Sequence, residues 1–151
     1  MPFNPGDILH NRYRIAKLLK QGGFGTIYRA WDMQANKACA LKVNLDQSSD
    51  AQKQFLREAT CLSTLRHPNL PQETEYFVLP TQEQCLVMDF IDGQDLQEKL
   101  DQSEPLPEAQ VRSWLGQVCD ALSYLHNQKP PIIHRDIKPA NIRISKDGRA
   151  V

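Results

Sequence analysis

The sequence carries no surplus charge: eighteen Lys and Arg balance eighteen Asp and Glu. Without a net field, no long-range electrostatic argument favours nucleic acid or an anionic membrane surface as a partner. Paired cysteines are missing too. Cys39, Cys61, Cys85 and Cys119 are scattered and form no C-x-x-C, so they are expected as small core residues in a reducing compartment rather than as disulfides or zinc ligands. Met1-Pro2-Phe3-Asn4-Pro5-Gly6 lacks the basic and apolar regions of a signal peptide, and no uninterrupted apolar run approaches the length that spans a bilayer. The expectation is a soluble, cytoplasmic chain with no membrane contact in this segment. Internal repeats and low-complexity tracts are also missing. What remains is a globular composition: 151 residues, 40% hydrophobic, enough for one core or two small lobes.

Residues 13–45 read as short strands. Tyr13 to Leu19 lead into a Gly-rich turn, Thr26 to Trp31 lead out, and a third strand runs from Lys37 through Ala40, Leu41 and Val43. No long helical period interrupts them, so an antiparallel meander is expected. A helix follows, with Ser49 as cap, Gln52 as its capping-box partner, and Phe55, Ala59, Leu62 and Leu65 as its apolar stripe, ending at His67-Pro68-Asn69. Two more strands are expected near residues 72–78 and 84–90, followed by a break at Asp92-Gly93. Then come a short helix near residues 95–100 and a longer one after Pro107. The longer helix carries Val111, Trp114, Leu115, Val118, Ala121, Leu122 and Leu125 at spacings of three and four. Ile132-Ile133 and residues 142–144 read as small strands, and Asp147-Gly148 as a hairpin turn. The fold class is α+β.

Three motifs carry chemistry. Leu19-Lys20-Gln21-Gly22-Gly23-Phe24-Gly25-Thr26-Ile27 places glycines between two strands, where backbone N–H groups can approach phosphate oxygens with no Cβ in the way; the same residues also suit a plain tight turn. Lys42 sits on an apolar strand, and Glu58 falls inside the apolar stripe of the helix. Each would be costly to bury alone, and each answers the other's charge. The paired lysine would be placed to hold two phosphates; the alternative is an exposed glutamate and a lysine whose stem alone is buried. The third motif is His134-Arg135-Asp136-Ile137-Lys138-Pro139-Ala140-Asn141. Asp136 can accept a hydroxyl proton, Lys138 can neutralise a transferring phosphate, and Asn141 offers an oxygen to magnesium. A solvated polar loop would use the same residue types.

In order and spacing, the Gly-rich hairpin, strand lysine, helix glutamate, break and H-R-D-x-K-P-x-N loop match the protein-kinase signature set. The chain resembles a eukaryotic-type Ser/Thr protein kinase, N-terminal part only. Tyr13-Arg14-Ile15, Gly22-Gly23-Phe24-Gly25 and His67-Pro68-Asn69-Leu70-Pro71 resemble the bacterial branch. The resemblance implies a lead-in at 1–12 and a partial kinase domain at 13–151. That domain would divide into a small lobe (13–90), a hinge (89–94) and an incomplete large lobe (95–151). It implies ATP and Mg2+ as cofactors and a protein Ser or Thr hydroxyl as acceptor. Residues 19–25 would cover the phosphates, Ile27 and Ala40 the adenine ring, and Met88 would be the gatekeeper. The backbones of Asp89 and Ile91 would bond the adenine edge, Asp95 the ribose, and Leu62 would join the packed column between lobes. Lys138 resembles the Ser/Thr rather than the tyrosine pattern, and Arg135 resembles kinases switched by activation-loop phosphorylation.

Lys20 stands where the family places the first glycine, Arg143 where it places an apolar residue beneath the adenine, and Glu73 where a strand residue should face the core. The family pattern continues beyond Val151 with the D-F-G aspartate, the principal magnesium ligand. The 151 residues alone are therefore expected to be inactive. The apolar stripe of the helix after Pro107 is expected to be exposed, to find another partner or to drive self-association. Two other readings compete: a non-catalytic kinase-like module that binds nucleotide or a partner, and a small-molecule kinase such as an aminoglycoside phosphotransferase. The latter has a similar aspartate-to-asparagine loop, but Lys138-Pro139 and His67-Pro68-Asn69 resemble the protein-kinase version.

Overall fold

The computed structural model describes residues 3–22 and 25–151, divided into two compact units. One comprises Met1–Leu65 with Gln72–Phe90, the other Arg66–Pro71 with Ile91–Val151.

The first unit is built on a six-stranded antiparallel sheet. Its strands are β1 (Ile8–Leu9), β2 (Tyr13–Gly22), β3 (Gly25–Asp32), β4 (Lys37–Asn44), β5 (Glu73–Val78) and β6 (Gln84–Asp89), in the order β1-β2-β3-β4-β6-β5. The period-two pattern of β3 folds as it reads, with Thr26, Tyr28, Ala30 and Asp32 buried and the residues between them partly exposed. Tyr28, Ala30, Leu41, Val43, Cys85 and Val87 join Tyr13, Ile15 and Phe77 in the main core. Burial pushes the thiols of Cys39 and Cys85 up to about 11 and about 12, so both remain protonated and act as small apolar fillers. The edge strand β1 was not legible in the sequence. Glu73 opens β5 beside a bulge and is buried, so the strand forms despite the charge in its pattern.

The other sheet face carries α1 (Ser49–Ser63). Phe55 and Ala59 pack on Leu86, flanked by Leu62, Tyr76 and Met88. The cap is Ser48 rather than Ser49: its side chain accepts the Ala51 N–H at 3.3 Å, and Asp46 holds the Ser48 N–H at 2.9 Å. Gln52 contributes only its backbone N–H, donated to the Ser48 carbonyl at 3.0 Å. The helix also stops before the expected His67-Pro68-Asn69. The hydroxyls of Thr60, Ser63 and Thr64 donate back to the carbonyls of Leu56, Thr60 and Cys61, a competition that weakens the last turn.

In the second unit, β7 (Gly93–Asp95) pairs antiparallel with β8 (Arg143–Ser145). Next along the chain, α2 (Leu96–Asp101) begins in a complete capping box: the Glu98 N–H donates to Asp95 at 2.8 Å, and the Asp95 N–H to Glu98 at 2.9 Å. The long helix α3 (Glu108–His126) finds a partner for most of its stripe, while Leu115 remains exposed. Trp114 is buried with Ile142, Ile144 and Ala150, and Val111, Val118, Leu96 and Leu106 pack around them. The Trp114 indole N–H donates to the Gly148 carbonyl at 3.0 Å, fixing the hairpin after β8 onto the helix. That hairpin matches the turn expected at Asp147-Gly148, with Ile144 bridging to Ala150. Ile132 and Ile133 form no strand: they follow Pro130-Pro131, and Ile133 is exposed.

Asn69 explains why residues 66–71 belong to this second unit. Its amide donates to Gln117 at 3.0 Å and to the Ala150 carbonyl at 2.7 Å, while the Arg66 N–H donates to the Tyr124 hydroxyl at 2.9 Å. No helix among the described residues is long and apolar enough to cross a membrane.

Candidate functional site

The candidate residues fall into two groups, one in each unit. In the first unit, the ladder of β2 and β3 closes at Gly22 opposite Gly25, with Gln21 facing Thr26 and Lys20 facing Ile27. Leu19, Lys20, Gln21 and Gly22 are exposed along this hairpin, whereas Gly23 and Phe24 lie outside the described residues. Gly25 is required on two counts. Its φ is +112°, and a Cβ would lie 2.6 Å from the Val43 carbonyl oxygen of β4. Lys20 lies within the ladder, just after a register shift that separates it from Leu18.

Strand register brings the next residues together. Ile27 lies opposite Lys42 and Lys42 opposite Leu86, while Ala40 lies opposite Met88. Since side chains alternate across the sheet, these residues share the face that carries α1. There the Lys42 ammonium meets the Glu58 carboxylate at 2.5 Å and lies 5.5 Å from the centroid of the Phe55 ring. Lys42 is only 13% exposed and Glu58 41%. The lysine therefore reaches its partner across the helix–sheet interface instead of running its head into solvent, and its remaining N–H donors are left for a ligand. The Asp89 N–H is already donated to the Gln72 carbonyl at 2.9 Å, and its carboxylate accepts the Gln72 N–H at 3.2 Å.

In the second unit, Pro139–Asn141 form one turn of 3-10 helix that folds the loop back on itself. The Asn141 amide nitrogen donates to the Asp136 carboxylate at 2.8 Å and to the Asp136 carbonyl at 2.9 Å. Lys138 approaches the other carboxylate oxygen at 3.3 Å. Arg135 holds a left-handed φ of 65°, and the Asp136 N–H donates to the His134 ring at 3.3 Å. Lys138 and Asn141, two and five positions along, thus converge on one exposed carboxylate. With the Asn141 amide nitrogen engaged, its oxygen is a hard donor of the kind magnesium takes. That residue fits as one ligand of the ion; among the described residues no cluster of His, Cys, Asp or Glu could hold a metal by itself.

Asp95 is committed to capping α2 through one carboxylate oxygen. The Ile91 carbonyl accepts from Arg143 Nε at 3.1 Å, and Arg143 Nη2 reaches the Gly93 carbonyl at 2.6 Å. The Arg143 head is thus bound to two backbone carbonyls. Gly93 marks a close approach as much as a break, since a Cβ there would lie 1.8 Å from the Ile144 carbonyl oxygen. Neither feature was visible in the sequence, where the only signals were an unexpected arginine and a glycine.

The family model for the protein kinase domain matches residues 13–150. The chain is 34% identical over 147 residues to serine/threonine-protein kinase tousled-like 2 of Xenopus tropicalis, covering 93% of this chain and 21% of that protein. The human protein of that name is also 34% identical over 147 residues, with 93% and 19% covered. Serine/threonine-protein kinase F of Synechocystis sp. is 38% identical over 162 residues, covering 94% of this chain and 32% of that protein. The chain thus spans 19% to 32% of the length of these relatives.

Proposed function

Because the chain belongs to the protein kinase domain family, we propose that the full-length protein transfers the γ-phosphate of ATP to a Ser or Thr hydroxyl of a protein substrate. The observation that carries this reading is the convergence of Lys138 and Asn141 on the Asp136 carboxylate, at 3.3 and 2.8 Å. Asp136 would orient the acceptor hydroxyl and hold its proton, and Lys138 would screen charge on the transferring phosphate. Lys42, held by Glu58, would position two phosphates beneath the Gly-rich hairpin of residues 19–25. Ile27, Ala40 and Met88 would bound the adenine ring, and the Asp89 carbonyl and Ile91 N–H would bond its edge. Asp95 would reach the ribose with the carboxylate oxygen that does not cap α2. When bound, Mg2+ neutralises phosphate charge, and Asn141 would supply one of its oxygens. In this reading residues 13–90 are the small lobe and residues 95–151 the first part of the large lobe. A cytoplasmic location accords with the four free cysteines.

The test is Asp136→Asn in the full-length protein, assayed by transfer of labelled phosphate to Ser/Thr and Tyr peptides. The expected result is a loss of at least about 100-fold in Ser/Thr transfer with ADP affinity retained. Unchanged transfer would refute the assignment. Arg143, a charged residue where the family has an apolar one, favours a second reading as a non-catalytic nucleotide-binding module. ADP binding by calorimetry without any phosphotransfer in the wild type would select it.

A further inference from the structure

Arg143 departs from the family pattern, and its side chain has a defined task. The backbone of the residue is anchored in the hairpin: its N–H donates to the Val151 carbonyl at 2.8 Å, and its carbonyl accepts the Val151 N–H at 2.9 Å. The side chain is partly buried and turns to the segment before α2, where Nε and Nη2 reach the carbonyls of Ile91 and Gly93. A guanidinium is planar with its donors in a fixed fork, so two carbonyls two residues apart are held at a set distance from β8.

The same segment is fastened at two further points. The Lys146 N–H donates to the Asp92 carbonyl at 3.0 Å, and the Lys146 ammonium meets the Asp92 carboxylate at 2.6 Å. Behind it, the Gly93 backbone lies directly against the Ile144 carbonyl. Of these ties, only Arg143 engages the carbonyl of Ile91.

We propose that Arg143 is a positioning and selectivity residue for the adenine site. It fixes the Ile91–Gly93 backbone and engages the Ile91 carbonyl, so the segment offers a ligand the Ile91 N–H but a weakened acceptor beside it. The inference rests on the kinase reading above, in which the backbones of Asp89 and Ile91 meet the adenine edge. Adenine presents one donor and one acceptor on that edge, for the Asp89 carbonyl and the Ile91 N–H, and needs nothing from the Ile91 carbonyl. A ligand that aims a second donor at that carbonyl meets an oxygen already bonded to a cation. One lone pair is taken, and the nearby positive charge opposes a further N–H dipole.

The experiment compares two probes by calorimetry on the full-length protein. ADP does not need the Ile91 carbonyl. A 2-anilinopyrimidine does, because its ring nitrogen accepts from one amide N–H while its exocyclic N–H donates to the carbonyl of the same residue. Arg143→Met removes the guanidinium and keeps an unbranched apolar stem, so packing against either ring changes in parallel and largely cancels in the ratio of the two dissociation constants. That ratio is expected to move about tenfold in favour of the anilinopyrimidine, the scale of one charge-assisted hydrogen bond. Arg143→Lys, which keeps the charge but cannot fork, falls between wild type and Arg143→Met. It also carries the comparison if the methionine variant does not fold.

A ratio that stays within about twofold across the variants, with both probes still binding, overturns the inference and leaves the kinase reading standing. Failure of the wild type to bind either probe overturns the kinase reading and the inference together.

Discussion

Replacing Asp32 with asparagine should remove stability from the first unit in a pH-dependent way. The Asp32 carboxylate ends β3 and accepts four hydrogen bonds: Arg12 Nε at 2.8 Å, Arg12 Nη2 at 2.7 Å, and the N–H groups of Gln34 and Ala35, each at 3.0 Å. Its side chain is 5% exposed and that of Arg12 is 26%. The Arg12 guanidinium, helped by the two amides, holds the carboxyl down at about 2, against an ordinary value of 3.8. A difference of this size corresponds to at most about 2.5 kcal/mol, and solvent screening at the partly open Arg12 reduces it to about 1–2 kcal/mol.

Because the folded carboxyl is the stronger acid, this stabilisation is complete above the unfolded value near 4. It is lost as pH falls toward 2. Asp32→Asn should therefore cost about 1–2 kcal/mol at pH 7. The gap from wild type should close between about pH 4 and pH 2, where the protonated carboxyl and the amide become near equals. Urea unfolding of the full-length protein across pH 2–7 gives the global readout. Hydrogen exchange gives the local one: the amides of Gln34 and Ala35 should exchange roughly 5–30 times faster in the variant at pH 7. A double-mutant cycle with Arg12→Met should assign most of the loss to the pair. Equal stabilities at pH 7, or a gap that widens in acid, would refute the reasoning.

Two further outcomes follow from single atoms. Gly93→Ala would drive a Cβ to 1.8 Å from the Ile144 carbonyl oxygen. Backbone must then separate between β7 and β8, and a loss of about 3 kcal/mol or more in thermal or urea unfolding is expected; a change within about 0.5 kcal/mol would show that the ribbon yields freely. Glu58→Gln keeps the shape but removes the charge facing Lys42 at 2.5 Å. Since Glu58 is 41% exposed, stability should barely change, while kcat/KM for ATP should fall about tenfold. Unaltered kinetics would mean that the pair does not position the phosphates.

What could be read from the sequence was local. The alternation of β3, the stripe on α3 and the turn at Asp147-Gly148 each depend on residues within a few positions of one another, and each formed as read apart from Leu115, which the stripe leaves exposed. The pairing of Lys42 with Glu58 was also foreseeable, because two charges on apolar faces sixteen residues apart had few other partners. Cap placement was not settled by residue type, since Ser48 and Ser49 are chemically identical. What decided it was Asp46, which takes the Ser48 N–H and leaves the serine extended ahead of the first turn. The early end of α1 had a signal in Thr60, Ser63 and Thr64, but one that a search for Pro and Gly alone passes over.

The features that escaped are long-range contacts. Arg12 meets Glu75 across 63 positions, Arg143 meets Ile91 across 52, and Trp114 meets Gly148 across 34. No periodicity links such pairs; the topology of the sheet and hairpin does. Gly93 shows the consequence most directly. Beside Asp92 it reads as a break, and a break would tolerate alanine. Against the Ile144 carbonyl it is the one residue that lets β7 and β8 approach, and a side chain there is excluded. The same letter supports opposite expectations for a mutation, and only its partner fifty-one positions away decides between them. Arg143 is the companion case. Judged by its column in a family pattern, it is a misplaced charge beneath an apolar ring. Judged by its two carbonyl partners, it is a tie on the segment that the ring's edge would face. An unexpected polar residue at an apolar position is therefore best interpreted through the backbone groups it can reach before it is counted against function.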